Sequence, residues 1–492
     1  MDKTSKVGYK HYIFLSVIML AFVIAKIIVN NPDSDAFFLI NTGRYIVENK
    51  TVPTTNVWVW HNNYSTIVQQ WLCDVVNYLW YSRLGILGLC IYTSIIVTIT
   101  NIVMYKFASI FTKSKETKIA ALLLSNLVLS WFMNTRPAII SFTCVLIELM
   151  ILHMFRQSRK SKKDFIKMLI ALAVESVFLI NYHSSLWWMM LVFLLPYIVP
   201  AVWNKSSFKI VNLKKSLYYI ADAIVILLTS LINPNGIYGP LYLILSYGSA
   251  NSIYIQELQS APMLGVFGLT TITVIVFTVI YIMQNKSSID KEIIYILLGT
   301  CTLSVMHIRS YIYLIIPILI LVCKLFEKYL DNSFNIKTYK LNSVLIGIAY
   351  SLTAFLAIIF IAYTSSLNGK ASDVCKVDDA IEYLDKYNKD DLKIYNELNF
   401  GAYMEMHDYK VYIDARPELF NEKINKQFNL LAEYNGVISG TADYQGFLDK
   451  YNFTHLVITT NGGLDIYLRQ GTQYNKILST EVYTLYEKSD FQ

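Results

Sequence analysis

Residues 138–180, AIISFTCVLIELMILHMFRQSRKSKKDFIKMLIALAVESVFLI, decide how this 492-residue chain is read. Two apolar stretches, 138–154 and 165–180, flank a loop that places six Lys/Arg within residues 156–167. Apolar stretches of this length leave water, and a basic loop between two of them marks a hairpin whose turn stays cytoplasmic. The pattern continues in both directions. Further stretches lie at 12–29, 84–105, 118–133, 184–203, 217–232, 264–283, 292–306, 308–323 and 341–363, with a partial one at 236–250. The loops alternate in charge. Residues 1–11, 106–118, 156–167, 204–215, 286–291 and 324–340 hold 23 Lys/Arg; the intervening loops hold Arg44, Lys50, Arg83, Arg136 and Arg309. The positive-inside rule then puts the N-terminus in the cytoplasm and, after an odd number of spans, the C-terminus outside. The expected fold class is a polytopic α-helical membrane protein of about eleven spans (residues 1–365, first outer loop 30–83). An extracytoplasmic soluble α/β domain follows at 366–492.

Composition agrees with that division. Mean hydropathy is +0.42, with 55% apolar and 16% charged residues, far from an ordinary soluble chain. The net charge of +7 conceals a split: residues 366–492 hold 13 Lys/Arg against 20 Asp/Glu, and residues 1–365 hold 29 against 15. The basic excess faces anionic lipid, and no nucleic-acid partner is called for. The six cysteines are scattered without metal-ligand spacing. The first apolar stretch carries Lys26 and no small-residue cleavage site, so it is expected to stay as an anchor. Heavy use of Lys, Ile, Asn and Tyr suggests a bacterial source, and hence the bacterial cytoplasmic membrane.

From about Ala371 the pattern becomes that of a soluble α/β domain. Strands are expected at Lys393–Glu397, Lys410–Asp414 and Thr454–Thr459, with helices at Val377–Tyr387, Phe420–Tyr434 and Tyr444–Tyr451. Strands alternating with helices imply a small, mostly parallel sheet, closed by a hairpin around Thr480.

The chemistry is expected on the outer side. Asp33 and Asp35 follow the first span, ahead of a short amphipathic helix at Ala36–Val47. A carboxylate at the membrane surface suits general-base work on a sugar hydroxyl, since partial desolvation raises basicity. The competing reading is that Asp33 or Asp35 only caps that helix. Basic and hydrogen-bonding groups recur in later outer loops: Arg136 before Pro137, His183 after Asn181-Tyr182, Glu257, and His307 with Arg309. Arginine near the hydrocarbon boundary marks phosphate recognition or simple pairing, for instance with Glu175. Phe37, Phe38, Trp58, Trp60 and Trp71 either wall a sugar site or form an interfacial belt. Glu148 and Asp222, toward the inner side, fit interhelical hydrogen bonding or a proton path.

In order and spacing, these segments resemble the GT-C superfamily of membrane glycosyltransferases, in a less characterised bacterial branch that uses polyprenyl-phosphate sugars. The carrying residues are Asp35, Thr42-Gly43-Arg44-Tyr45-Ile46, Val52-Pro53, Gln70-Trp71-Leu72-Cys73-Asp74 and Gly85-Ile86-Leu87-Gly88-Leu89. Arg136-Pro137, Asn181-Tyr182-His183, Asn233-Pro234-Asn235-Gly236 and the His307/Arg309 segment continue the likeness. In the tail, Asn396–Tyr403 followed by Tyr412-Ile413-Asp414-Ala415-Arg416 resembles a "GGYL…DGR" signature.

The resemblance implies a polyprenyl-phosphate-linked sugar as donor, a lipid bilayer around the spans, and an extracytoplasmic glycan, lipid or protein as acceptor. It implies Asp35 as the catalytic base, in an inverting transfer. Arg309 and Arg136 become phosphate ligands with His183 in support, and Arg44, His307, Trp71 and Glu257 further substrate contacts. No metal ligand set is assigned, although Asp74 or Glu257 would be the residues to share a divalent cation. Two departures stand out: Ala36-Phe37 where relatives often carry Trp or a second acid, and Ala415 where Gly is common. Two other classes remain open, a transporter or flippase of lipid-linked glycans and a non-catalytic assembly subunit of the same fold.

Overall fold

The structure, a computed structural model, describes residues 4–60, 64–159, 161–202, 213–246, 259, 260, 262, 264–285, 289–325, 376–416, 424, 425 and 429–491. Glu257, the expected span at 341–363 and most of the expected helix at 420–434 lie outside them. The chain divides into two compact units: residues 1–30, 90–240 and 255–366 form the first, and 31–89, 241–254 and 367–492 the second.

Helices dominate the first unit. They are α1 (Thr4–Asn30), the later part of α3 (Trp71–Ala108), α4 (Lys115–Leu129), α5 (Ala138–Gln157), α6 (Lys162–Tyr182), α7 (Ser184–Val202) and α8 (Leu213–Thr229). Most of α9 (Tyr238–Ser246) falls in the second unit, and α10 (Val266–Gln284), α11 (Lys291–Met306) and α12 (Ile315–Leu325) complete the first. Their faces are sorted for a bilayer. On α8, Leu217, Ile224 and Leu228 are more than half exposed, while Ser216, Asp222 and Ile226 are fully buried. Apolar surface outward and polar groups inward suits lipid and would be costly in water. Interhelical polar bonds fix the interior: Trp187 Nε1 donates to Ser176 Oγ at 2.9 Å, and Ser176 to the Ile226 carbonyl at 3.0 Å. Thr100 and Thr143 hydroxyls meet at 2.7 Å.

This is a membrane protein with a multi-span helical domain, but about eleven full-length spans are not seen among the described residues. Among the described residues five helices are long and apolar enough to cross a membrane, six if Val17–Asn30 and Asp35–Asn49 count as one broken span. Ser184–Val199 and Ser216–Thr229 are shorter apolar stretches within α7 and α8, and the expected span at 341–363 lies outside the described residues. The expected stretch 308–323 opens as a 3₁₀ segment, Ile308–Leu314, before α12.

In the second unit α2 (Ser34–Asn49), the early part of α3 and the tail fold together. The tail contributes α13 (Asp378–Leu384), β1 (Ile394–Asn396), α14 (Leu398–Met406), α15 (Leu430–Ile438), α16 (Tyr444–Tyr451), β2 (His455–Thr459), α17 (Gly463–Leu468), β3 (Tyr474–Ser479) and β4 (Tyr483–Lys488). The sheet order is β1-β2-β4-β3. Only β1–β2 is parallel; β2–β4 and β3–β4 are antiparallel, so the sheet is mixed rather than mostly parallel. The cause is the β3–β4 hairpin, whose short turn permits no parallel crossover.

The expected strand at Lys410–Asp414 does not join this sheet. Val411 pairs in a parallel bridge with Val59 of the first outer loop, its N–H donating to the Trp58 carbonyl at 3.0 Å. The Asn396 side chain holds the neighbouring backbone, accepting from Tyr412 N at 2.8 Å and donating to the Ile413 carbonyl at 2.7 Å. Val59 and Tyr64 lie in the same buried cluster as Tyr395, Tyr412 and Phe453, and Trp60 Nε1 donates to the Ile394 carbonyl at 2.8 Å. The loop between α2 and α3 thus supplies part of the tail's core.

Candidate functional site

On α2 the capping question resolves to one of the two aspartates. Asp33 is the N-cap, extended in backbone (φ −93, ψ 173), its carboxylate accepting from Ala36 N at 3.0 Å. Asp35 stands half-buried in the first turn, next to the fully buried Ala36 and Phe37. Further along the helix, Gly43 fits where nothing larger would: a Cβ there would lie 2.1 Å from the Asp74 carbonyl oxygen. Arg44 is spent on structure, its guanidinium 2.6 Å from the Asp408 carboxylate and 2.8 Å from Asn41 Oδ1. Trp71 is the first residue of α3, partly buried.

Asp74 is buried and is faced by Arg416, which sequence reasoning quoted only within the tail signature. Arg416, itself 6% exposed, donates to both Glu405 oxygens at 3.2 and 3.3 Å and pairs with Asp414. Its guanidinium lies 4.2 Å from the centre of the Trp58 ring and 5.7 Å from that of Phe38. Burial, and then the neighbouring Asp414, push the Glu405 carboxyl well above its ordinary range despite Arg416. The missed signal was a pair of charges, Glu405 and Arg416, eleven residues apart on either side of the apolar Val411-Tyr412-Ile413.

In the first unit the structure brings His183 and Arg309 together. His183 caps α6 and is fully buried; its Nδ1 is 2.7 Å from Ser141 Oγ, while Nε2 has no hydrogen-bond partner. Burial, with Arg309 adding to it, holds the imidazole well below its usual pKa, so the ring is neutral. Arg309 sits half-buried in the 3₁₀ segment and has no ion pair among the described residues. His307 is the C-cap of α11, two residues away. Arg136 precedes Pro137, which is the N-cap of α5, and its backbone N–H donates to Asn134 Oδ1 at 3.2 Å.

The carboxylates within the helices, Glu148, Glu175 and Asp222, do not make the bonds expected of them among the described residues. All six oxygens of Glu148, Glu175 and Asp222 are buried without a hydrogen-bond partner among the described residues, so they do not link the helices, and Glu175 pairs with no arginine. No group of three His, Cys, Asp or Glu among the described residues is arranged to hold a metal ion. Asp74 is faced by a guanidinium instead.

No family model matches the sequence, and no curated protein matches it. Solved structures do. ArnT from Cupriavidus metallidurans bound to undecaprenyl phosphate aligns at TM-score 0.58 and 10% identity, over 99% of this chain and 98% of ArnT. The Archaeoglobus fulgidus oligosaccharyltransferase, tethered with an acceptor peptide containing the NVT sequon, aligns at TM-score 0.56 and 10% identity, over 92% of this chain and 69% of its own. Both are GT-C glycosyltransferases.

The chain has the GT-C fold.

The GT-C likeness extends to the apo form of ArnT, at TM-score 0.56 over 98% of each chain. At 10% identity this likeness is one of architecture, and chemistry has to be argued from the side chains.

Proposed function

We propose that this GT-C chain is an inverting glycosyltransferase of the bacterial cytoplasmic membrane. It takes a sugar from a polyprenyl-phosphate carrier and places it on an extracytoplasmic glycan, lipid or protein. In this reading the N-terminus is cytoplasmic and residues 366–492 lie outside. The observation that carries it is Arg309: a half-buried guanidinium without an ion pair among the described residues, beside a histidine kept neutral. Such a group suits a phosphate oxygen that gains charge as the sugar leaves.

The Asp35 carboxylate takes the acceptor hydroxyl proton, and the resulting oxygen attacks the anomeric carbon from the face opposite the carrier. The anomeric C–O bond to phosphate breaks, its electron pair leaving on the polyprenyl phosphate, and the product has inverted configuration. Arg309 and Arg136 neutralise the leaving phosphate. His183, being neutral, contributes a hydrogen bond rather than a charge. His307, Trp71 and Glu257 are further substrate contacts, and Arg44 acts through its pair with Asp408.

The test is transfer by the purified full chain in nanodiscs, offered a panel of polyprenyl-phosphate sugars. Asp35→Asn is expected to lower release of polyprenyl phosphate by about 10²–10⁴-fold, the usual worth of a general base. Wild-type turnover by Asp35→Asn would overturn the assignment. A second reading, transport of lipid-linked glycans, is favoured by the unpartnered Glu148, Glu175 and Asp222. It requires those three to be essential and Asp35 dispensable.

A further inference from the structure

Five separate pieces of the second unit meet at one guanidinium. Phe38 comes from α2, Trp58 from the loop, Asp74 from α3, Glu405 from α14, and Asp414 from the segment that pairs with the loop. The Phe38 ring on α2 lies 5.7 Å from the guanidinium, so Arg416 reaches α2 directly while its partner Glu405 sits on α14. Phe38 lies three residues from Asp35, about 4.5 Å along the axis at about 1.5 Å per residue.

The packing around this link leaves little slack. The Phe37 ring meets Tyr403 edge-on at 5.0 Å, and Phe37 and Ala402 share a buried cluster. Two glycines allow the close approaches: Gly43, against the Asp74 carbonyl, and Gly401, where a Cβ would lie 2.2 Å from the Ile413 carbonyl oxygen. Arg44–Asp408 adds a second, more exposed tie between α2 and the chain just after α14. A side chain that is planar, permanently charged and able to bond in several directions at once is what such a junction needs, and lysine cannot copy it.

We propose that Arg416 is a positioning residue: it braces α2 against the tail and so sets the placement of Asp35. The tail then serves the reaction by holding the base still, apart from any contact of its own with acceptor. The kinetic part of this inference rests on Asp35 being the base; the structural part does not.

The experiment pairs amide hydrogen exchange across residues 34–49 with transfer kinetics, on the full chain in nanodiscs. Arg416→Met is expected to speed exchange in α2 and to lower kcat by about 100-fold, the scale of a misplacement near 1 Å, with the donor KM unchanged. Arg416→Lys keeps the charge and loses the fork and the stacking; it is expected to fall between Met and wild type, and it serves if the Met variant does not fold. Unchanged exchange in α2 in Arg416→Lys and, where it folds, in Arg416→Met would overturn the brace, whatever the activity. Faster exchange with kcat intact would overturn the link to Asp35. Faster exchange in a protein whose wild type turns over no donor would retain Arg416 as the brace and retire Asp35 as the base.

Discussion

Two buried groups of three carboxylates sit in this chain, and the protein treats them in opposite ways. In the second unit Asp74, Glu405 and Asp414 surround Arg416. In the first, Glu148, Glu175 and Asp222 lie on three helices with no hydrogen bond to any of their oxygens among the described residues. A buried carboxylate is costly unless it is paired or neutral. In one group Arg416 therefore pairs with Glu405 and Asp414 and holds distant segments together, although Asp74 Oδ1 has no hydrogen-bond partner among the described residues; the other group adds no bond there to the helix packing around it. Burial alone is a poor guide to structural importance; the partner decides.

That contrast can be broken most forcefully at Arg416. Arg416→Met should destabilise the second unit by about 3–5 kcal/mol, because it strands buried carboxylates without their cation. Thermal unfolding in one detergent, followed by tryptophan fluorescence, reads this directly. Glu148→Met should go the other way, stabilising by about 1–3 kcal/mol through loss of an unbonded polar group of similar shape. A destabilised Glu148→Met would show that this carboxylate has partners after all, and would move it toward the paired group.

A pH series sharpens the comparison further. The Glu405 carboxyl is raised by burial and by Asp414, so the folded state holds its proton more tightly than the unfolded chain, whose value is 4.5. Its contribution is fully present below that value and is lost as pH rises through the folded one. Wild type should therefore lose thermal stability on going alkaline from about pH 5, and Glu405→Gln should flatten that decline. Parallel curves for the two would remove Glu405 from the pH response. The smallest effect belongs to Arg44–Asp408, in which the Asp408 side chain is 68% exposed. Asp408→Asn should cost about 0–1 kcal/mol, and the loss should vanish in high salt.

How much of this was visible in the sequence depended on the range of the interaction. Residues 138–154, 165–180 and 264–283 match α5, α6 and α10 to within three residues at either end, because an apolar run is a local signal. β1, β2 and the terminal hairpin were local too. Lys410–Asp414 was not: its partner, Val59, lies far upstream, and nothing in KVYID indicates that it prefers a loop to its neighbouring sheet. The site divides the same way. Asp35, His183 and Arg309 stood out as polar residues at the ends of apolar stretches. Arg416 became meaningful only when Trp58, Asp74 and Glu405 were found around it.

The Val59–Val411 bridge also bears on how the chain is made. Synthesis proceeds at about 5–20 residues per second, so Val411 follows Val59 out of the ribosome after roughly 20–70 seconds. For that interval Val59 and Tyr64, core residues of the finished protein, have no tail to cover them. A ribosome that stalls before residue 411 therefore leaves a product whose first loop lacks the partner that buries Val59 and Tyr64.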